Sequence, residues 1–334
     1  MPAIRFDVLG IGNAIVDVIA RTEDDFLIRH DMRKGTMALI DEQQAASIYA
    51  AMGPAVEVSG GSAANTTVGV ASLGARAAFI GRVRDDELGR VFTHDIRAAG
   101  VSYSTPPAVN GPSTARCYVL VTPDGERTMN TYLGAAQDLH PKDIDADDIA
   151  SAAIVYLEGY LWDPPHAKEA FLKAAAIAHG ADRRVALTLS DAFCVDRYRA
   201  EFLELIRKGT VDLLFANERE LHSLYQTADD LDAALNELRK DARLAVVTRS
   251  EQGALVITRE ETEAIPASRV DRVVDATGAG DLFAAGFLAG LARGADHRNC
   301  ARLGALVAAE VIQHLGARPE TSLQALARDN GFNL

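Results

Sequence analysis

The chain has 334 residues, 48% hydrophobic and 24% charged, a composition typical of soluble globular proteins. Its net charge of −13 argues against non-specific binding of nucleic acid, which needs a basic surface, although a local site can still bind an anion. No apolar run reaches the roughly 20 residues that span a bilayer, and the N-terminus lacks signal-peptide features, so we expect no membrane partner. The three cysteines, Cys117, Cys194 and Cys300, are odd in number and far apart, so they indicate no disulfide framework and favour a reducing, cytoplasmic location.

The first half of the chain predicts strands that differ in burial. FDVLGIG, at 6–12, predicts a buried strand that ends in a glycine turn, and IVDVIA and TMALID predict half-exposed strands. GGSAANTTVGVASLG predicts a helix of small residues, AAFIG a strand, and DDELGRVFTHDIRAAG a helix that ends at Gly100. Apolar and polar residues partly alternate on both sides of Pro123-Asp124-Gly125, which predicts a hairpin.

The second half alternates between apolar strands and amphipathic helices. The strand segments are AIVYLEG, VALTLS, VDLLFA, LAVVT and ALVIT, and the predicted helices cover 167–179, 197–208, 217–225, 229–239, 279–293 and 298–314. This alternation predicts an α/β fold with a parallel sheet covered on both faces. We expect a single domain over 1–334, with a small β lid formed by about 13–48 and 101–135. Ligands of such folds bind beyond the carboxyl ends of the strands, where the glycine-rich segments lie.

The segment DATGAGDLFAAGF, at 275–287, places small residues and one acid at a helix start. Gly278, Ala279 and Gly280 leave the N–H groups of the first helical turn open to an anion. Such a turn suits a transferring phosphate, and Asp281 beside it suits a general base that takes the proton of an attacking hydroxyl. The alternative is an ordinary helix start with an acidic first turn.

Other phosphate and metal motifs do not fit. The chain has no G-x-x-x-x-G-K-[ST] segment, so it lacks a P-loop. GIGNAI follows a strand but lacks the third glycine of a dinucleotide-binding fingerprint. The eight histidines show no H-E-x-x-H pattern, which argues against a histidine-based zinc site.

Three segments together carry a family likeness. SGGSAANTTVGVASLGARAAFIGRVRDDELGR, at 59–90, resembles the N-terminal signature of the ribokinase-like (PfkB) carbohydrate and nucleoside kinases. DATGAGDLFAAGFLAGL, at 275–291, resembles the C-terminal signature, and ANERE, at 216–220, resembles the N-x-x-E motif. The resemblance implies a ribokinase-like three-layer core with a mostly parallel sheet and a small β-sheet lid, with ATP as donor and Mg²⁺ as metal.

The resemblance also assigns the phosphate side of the site. It makes Asp281 the base and Gly278, Ala279 and Gly280 the anion hole. Asn217 and Glu220 would organise the water network between Mg²⁺ and phosphate; the alternative for them is a capping asparagine with an acidic first turn. Thr248 and Gly253 match positions that contact the phosphates of ATP, and otherwise are a strand end and a turn.

On the acceptor side, Asp17, Gly61 and Asn65 match the family's sugar-hydroxyl ligands, and Asn13 could join them. A short carboxylate accepts hydrogen bonds from adjacent hydroxyls, and an amide both donates and accepts. Arg116 extends from the lid hairpin and could meet phosphate, the alternative being a solvated lid residue.

Several segments favour a nucleoside acceptor. VLGIGNAIVDV, ERTMNTYLGAAQDL and LTLSDAF resemble segments of adenosine kinases. Tyr160, Leu161 and Trp162 follow a strand, where a planar base could stack; core packing is the alternative. We therefore expect an ATP-dependent kinase for the 5′-hydroxyl of a purine nucleoside, adenosine in first place. A kinase for ribose, fructose or a related sugar and a non-catalytic binding protein on the same fold remain alternatives. The expected partners are ATP and a small-molecule acceptor, with the chain a monomer or homodimer.

A monovalent cation completes the expectations. HLGARPE, at 314–320, resembles the C-terminal turn with which the family encloses K⁺, and Asp275 matches the other side of that site. Asp275 could instead simply cap its turn. Glu320 stands where the family has a small hydroxyl residue, and it could either contact Arg318 or strengthen cation binding. The resemblance predicts modest activation by K⁺.

Overall fold

The structure, a computed structural model, describes residues 2–228 and 230–333. In that part of the chain the strands are β1 (Phe6–Ile11), β2 (Ile15–Arg21), β3 (Met37–Leu39), β4 (Ala55–Gly60), β5 (Ala77–Ile80), β6 (Ser102–Tyr103), β7 (Ala115–Val121), β8 (Arg127–Tyr132), β9 (Ala152–Glu158), β10 (Arg184–Thr188), β11 (Leu213–Asn217), β12 (Leu244–Thr248), β13 (Ala254–Thr258) and β14 (Thr262–Ile265). The helices are α1 (Asp24–Arg29), α2 (Glu42–Ala51), α3 (Ser62–Ser72), α4 (Glu87–Ala98), α5 (Ala146–Ala150), α6 (Pro165–Gly180), α7 (Ala192–Arg207), α8 (Glu218–Tyr225), α9 (Leu231–Asp241), α10 (Ala279–Ala292), α11 (His297–Val311) and α12 (Leu323–Asp329).

The large sheet has nine strands in the order β14-β13-β12-β11-β10-β9-β1-β5-β6. The strands from β12 to β6 all pair in parallel, and β13 runs antiparallel to both of its neighbours, β12 and β14. Successive residues of one strand are buried against opposite layers: Val8 packs in one hydrophobic cluster and Leu9 in the other. The continuous apolar runs in the sequence follow from this burial on both faces, so the predicted α/β class is confirmed.

Helices cover both faces of this sheet. One layer contains α3, α4, α10, α11 and α12, and the other contains α6, α7, α8 and α9. Helix α10 is buried from Leu282 to Leu291, and its small residues let α11 approach closely. A Cβ on Gly286 would lie 2.7 Å from the Cα of Gly304. The described residues include no helix with the length and apolar character that crossing a membrane requires.

The lid is a second sheet of five strands in the order β3-β8-β7-β2-β4. Residues of α1 and α2 pack on one of its faces, with Val16, Val18 and Ala20 of β2. The predicted lid boundaries differ from the structure in two places. Strand β4 pairs with β2 although it lies outside 13–48, and β6 lies inside 101–135 but pairs with β5 of the large sheet. Both strands are set by pairing to distant segments, which local sequence does not reveal.

Each predicted helix is present with shifted ends, and the structure adds four helices that were not predicted, α1, α2, α5 and α12. Helix α7 begins at Ala192 rather than at 197, because the Asp191 side chain accepts a hydrogen bond from the Cys194 N–H and caps the helix. Helix α9 begins at Leu231 after a capping Asp230; residue 229, where this helix was predicted to start, lies outside the described residues.

Candidate active site

The carboxyl ends of four neighbouring strands place polar side chains along one edge of the large sheet. Glu158 of β9 pairs in register with Thr188 of β10, and Asn217 of β11 pairs with Thr248 of β12. This edge is where parallel α/β sheets bind ligands. The structure thus places the predicted Asn217 and Thr248 directly beside each other.

Asp281 lies in the first turn of α10 and is bonded to the start of α3. Its carboxylate accepts hydrogen bonds from Ser62 Oγ at 2.7 Å and from Asn65 Nδ2 at 3.0 Å. Burial raises the pKa of Asp281, and the two hydrogen bonds and the nearby Arg318 oppose that rise. The two glycine-rich segments, 219 residues apart at the Ser62–Asp281 contact, therefore form one site.

The turn before Asp281 has the open shape that an anion-binding helix start needs. Gly278 has φ 78°, and a Cβ there would lie 2.5 Å from the Cβ of Ala317, so glycine is required. Gly280 is exposed, and a Cβ on it would meet no other described atom within 4 Å. The Ala279 N–H donates to the Ala276 carbonyl oxygen at 3.2 Å, whereas the N–H groups of Gly280 and Asp281 lie in the first helical turn, where no intrahelical acceptor is available.

The predicted acceptor residues Asn13 and Asn65 each present a free oxygen. Asn13 Nδ2 donates to Glu158 at 2.7 Å and Asn65 Nδ2 donates to Asp281, so a carboxylate fixes each amide. Both Oδ1 atoms are buried and have no hydrogen-bond partner among the described residues. A buried acceptor without a partner is costly, so both oxygens suit a ligand that donates hydrogen bonds.

Asp17 lies above them, on the lid. Burial raises its pKa to about 6, while Arg318 and Arg127 lower it and Asp281 raises it further. The carboxylate packs against Gly60, where a Cβ would lie 2.3 Å from Asp17 Oδ2. We call Asn13, Asn65 and Asp17 the acceptor triad, because together they offer oxygens to a ligand's hydroxyl groups.

Gly61 shapes this region. It precedes α3 with φ 99°, and a Cβ on it would lie 2.2 Å from the Asn13 carbonyl oxygen. Any side chain would therefore separate the connection between β1 and β2, which carries Asn13, from the helix that carries Asn65. The structure explains the glycine by this close approach, and its contact with a ligand stays a prediction.

Sequence reasoning missed Glu158, which is 1% exposed. Its carboxylate accepts hydrogen bonds from Asn13 N at 3.1 Å, Asn13 Nδ2 at 2.7 Å and Ala63 N at 2.8 Å. Burial raises its pKa to about 7 against the effect of these three bonds, and Asp281 adds to the rise. The signal was available, because AIVYLEG ends an apolar strand with an acid at the ligand-binding edge.

The prediction for Arg116 is wrong. Cys117 pairs with Asp17, so it lies on the cleft-facing side of the lid, and alternation turns Arg116 to the other side. There Arg116 Nη1 donates to Ser113 Oγ at 3.1 Å, and the guanidinium lies 5.1 Å from the centroid of the Tyr132 ring.

The arginine on the cleft side is Arg127. Its Nη2 lies 2.6 Å from Asp275 Oδ2, and both side chains are buried. Asp275 also accepts hydrogen bonds from Thr277 N at 3.0 Å and Gly316 N at 2.9 Å. Burial lowers the pKa of Arg127, and Asp275 and Asp17 oppose that effect. One carboxylate thus joins the lid, the glycine–acid turn and the C-terminal turn.

The K⁺ site predicted at Asp275 stays a prediction. The C-terminal turn reaches Asp275 through Gly316, and the guanidinium of Arg127 supplies a positive charge there. Of the two roles considered for Glu320, contact with Arg318 is not formed. Glu320 is exposed, with its carboxylate 3.7 Å from His314 Nδ1, and Arg318 donates to Ser59 instead.

Asn217 and Glu220 form a capping box at the start of α8. Asn217 Oδ1 accepts from Glu220 N at 2.9 Å, and Glu220 accepts from Asn217 N at 2.9 Å and Nδ2 at 2.6 Å. Burial raises the pKa of Glu220 to about 7, opposed by the bond from Asn217 N and assisted by Asp191. The capping alternative is confirmed, and the role in organising Mg²⁺ stays a prediction.

Gly253 is also explained by packing. It lies in the connection between β12 and β13 with φ 85°, and a Cβ there would lie 2.0 Å from the carbonyl oxygen of Ile265. Contact of Gly253 or Thr248 with ATP stays a prediction.

The aromatic segment after β9 divides between core and cleft. Leu161 and Trp162 are buried in the core, and the Trp162 indole donates to Glu201 at 2.9 Å, so the packing alternative is correct for both. Tyr160 is 37% exposed. Burial of its phenol, together with nearby carboxylates that include Asp191 and Asp281, raises its pKa well above the ordinary value. Contact of Tyr160 with the acceptor stays a prediction.

Comparisons with known proteins agree with this geometry. Residues 40–323 match the model of the pfkB family carbohydrate kinases. A crystal structure of adenosine kinase from Sinorhizobium meliloti is 54% identical, covers 98% of this chain and 100% of its own, and superimposes with a TM-score of 0.91. A probable sugar kinase from Rhizobium etli is 55% identical, with coverages of 98% and 99% and a TM-score of 0.92. Adenosine kinase of Saccharomyces cerevisiae is 27% identical over 92% of this chain and 94% of its own length. The chain belongs to the pfkB family of carbohydrate kinases and is an ATP-dependent phosphotransferase.

Proposed function

We propose that this kinase transfers the γ-phosphate of ATP to the 5′-hydroxyl of a purine nucleoside, with adenosine as the first candidate. The observation that carries the proposal is the acceptor triad beside Asp281. Two buried amide oxygens and one carboxylate suit a pair of sugar hydroxyls, and Asp281 lies next to them. The similarity to adenosine kinases supports the same acceptor.

The cleft face of the lid favours a base over a free sugar. Beyond Asp17 and Cys117 on this face, Ile19, Val119 and Met129 pair in register across three strands and form an apolar row. A flat aromatic base can pack on such a row, whereas the additional hydroxyls of a larger sugar would lose their hydrogen bonds to water there. A sugar acceptor remains the second candidate because a probable sugar kinase is equally similar.

In the proposed reaction, Asp281 accepts the proton of the 5′-hydroxyl as its oxygen attacks the γ-phosphorus of ATP. A new oxygen–phosphorus bond forms, the bond to the β-phosphate bridging oxygen breaks, and ADP leaves. The raised pKa of Asp281 makes it a stronger base than an exposed aspartate. The N–H groups of the Gly278–Gly280 turn face the charge that develops on the transferring group.

When Mg²⁺ is bound with ATP, Asn217 and Glu220 would hold it through water, and its positive charge would neutralise that of the phosphates. Asn217 is exposed at the cleft edge, and the Glu220 carboxylate lies behind it in the capping box. This arrangement fits contact through water, as the family resemblance implies, better than direct coordination by Glu220.

The acceptor assignment predicts a clear order of substrates. With ATP and Mg²⁺ in excess, kcat/KM for adenosine should exceed that for ribose or fructose at least tenfold, because only the nucleoside packs a base against the apolar row. Initial rates of ADP formation with adenosine, guanosine, inosine, ribose and fructose measure this order. A higher kcat/KM for either free sugar would contradict the nucleoside assignment.

Replacing the base should affect turnover more than binding. Asp281→Asn keeps the size of the side chain but cannot accept the proton, so kcat should fall by about 10²–10⁴-fold, with a much smaller change in the KM of the acceptor. Steady-state kinetics measure both. Asp296→Asn is the matched control, because Asp296 caps α11 and asparagine caps equally well. A near-normal kcat for Asp281→Asn would contradict the assignment of Asp281 as the base and leave it only as an acidic residue at the start of a helix.

The Arg127–Asp275 pair predicts independence from K⁺, contrary to the expectation from sequence. Initial rates and Tm should be equal in potassium and tetramethylammonium chloride at matched ionic strength, since the guanidinium neutralises Asp275. Arg127→Gln leaves Asp275 without its cation, so the Tm of this variant should rise with K⁺. Arg21→Gln, an exposed arginine on the same lid face, is the control and should not respond. Activation of the unmodified enzyme several-fold by K⁺ would contradict this account.

A further inference from the structure

Arg318 is a buried arginine to which the kinase motifs give no role. It follows α11, in the C-terminal turn, and its guanidinium contacts two other elements. Nε donates to the Ser59 carbonyl oxygen at 3.0 Å and Nη2 to Ser59 Oγ at 2.9 Å, both in lid strand β4. Nη1 donates to the Ala64 carbonyl oxygen at 3.4 Å, in core helix α3. One side chain therefore joins the lid to the core.

The two carbonyl groups lie next to the acceptor triad. Ser59 precedes Gly60, against which the Asp17 carboxylate packs. Ala64 precedes Asn65, whose amide donates to Asp281 and keeps its own oxygen free. A shift of either carbonyl group would move one member of the triad, so the guanidinium fixes the spacing between Asp17 and Asn65.

A second network holds Ser59 from the opposite side. Asp95 of α4 accepts hydrogen bonds from Ser59 N at 2.8 Å and from Ser59 Oγ. Ser59 thus accepts hydrogen bonds from Arg318 and donates hydrogen bonds to Asp95, and both partners determine its place in β4. Such a fully bonded backbone is what a precise binding group requires.

Arg318 also balances the charge of the site. The groups that face Asp17 are Arg318, Arg127 and Asp281, with the Cys117 thiol beside them. Burial lowers the pKa of Arg318 to about 10, with Asp95, Asp17 and Asp281 opposing this, so the side chain is cationic at neutral pH. Of the two cations, Arg127 is also paired with Asp275, whereas Arg318 donates only to neutral protein groups.

We propose that Arg318 is a positioning residue for the acceptor: it sets the distance between Asp17 and Asn65 and supplies the positive charge beneath Asp17. The proposal rests on the proposed function of the triad as the site of the acceptor's hydroxyls. It does not depend on which hydroxyl compound binds, because the arginine acts on the triad and not on the base.

The charge has a consequence for the pH dependence. Asp17 accepts hydrogen bonds from two hydroxyl groups only when its carboxylate is ionised. The positive charge of Arg318 lowers the pKa of Asp17. Removing the charge raises the pKa of Asp17. As the pH falls, acceptor affinity should therefore be lost at a higher pH in Arg318→Gln than in the unmodified enzyme.

The test compares Arg318→Gln and Arg318→Lys with the control Arg293→Gln, in which an exposed arginine loses its bond to the Gly74 carbonyl oxygen. The kinetics use the best acceptor of the unmodified enzyme. Arg318→Gln should raise the acceptor KM at least tenfold and shift its acid limb to higher pH, with the KM of ATP changed less than threefold. Arg318→Lys, which keeps the charge, should retain the original acid limb while its KM rises. Arg293→Gln should match the unmodified enzyme.

Two outcomes would overturn the proposal. The first is an unchanged acceptor KM and acid limb in folded Arg318→Gln. The second is a fall in kcat and a rise in both KM values by the same factor, with a reduced Tm, which indicates a purely structural role. Should Arg318→Gln not fold, Arg318→Lys decides the question: a normal acceptor KM in that variant would overturn the proposal too. Lack of adenosine turnover by the unmodified enzyme would instead contradict the proposed function, which separates the two failures.

Discussion

The site depends on the hydrogen bonds that join Asp281 to Ser62 and Asn65. Helices α3 and α10 lie in the same layer on the large sheet, and these bonds place their first turns side by side. The bonds have two effects at once: they oppose the rise in pKa that burial imposes on Asp281, and they fix the Asn65 amide with its oxygen free. Without them, neither the proposed base nor the triad would have a defined geometry.

A second buried carboxylate holds an asparagine amide on the other side of the cleft. Glu158 holds Asn13 as Asp281 holds Asn65, and each carboxylate is itself bonded to the start of α3. Burying two carboxylates is costly unless they receive hydrogen bonds, and both receive them here. The result is a pair of amides, each held through its nitrogen, whose free oxygens can accept hydrogen bonds from hydroxyl donors.

The lid is connected to the core by charged side chains at two points. Arg127 reaches Asp275 from β8, and Arg318 reaches Ser59 of β4 from the C-terminal turn. Both contacts end at segments that also hold the site, the first at the turn before Gly278 and the second at the strand before Gly61. The position of the lid and the shape of the site are therefore linked by the same few groups.

The sequence predicted the fold well, because continuous apolar strands and capped helices are local signals. It also placed the glycine-rich turns at one sheet edge, while the family resemblance, and not the residue spacing, singled out Asn65 and Asn13 beside Asp281. It failed where the outcome depends on pairing over long distances. The register between β2 and β7 decides that Arg127 rather than Arg116 faces the cleft, and the alternation in the hairpin alone does not say which face is inside. The pairing of strand β4 and the contacts of Arg318 could not be predicted for the same reason, since both depend on segments far apart in the chain.

The central claim is that buried oxygens of Asn13, Asn65 and Asp17 bind the sugar hydroxyls of the acceptor. Isothermal titration calorimetry without ATP, with adenosine, 2′-deoxyadenosine and 2′,3′-dideoxyadenosine, tests it most directly. Leaving a buried acceptor unpaired costs about 1–3 kcal/mol, so removing both hydroxyls should raise the Kd by at least about 30-fold, with 2′-deoxyadenosine between the extremes. A Kd for the dideoxynucleoside within twofold of that for adenosine would contradict the account.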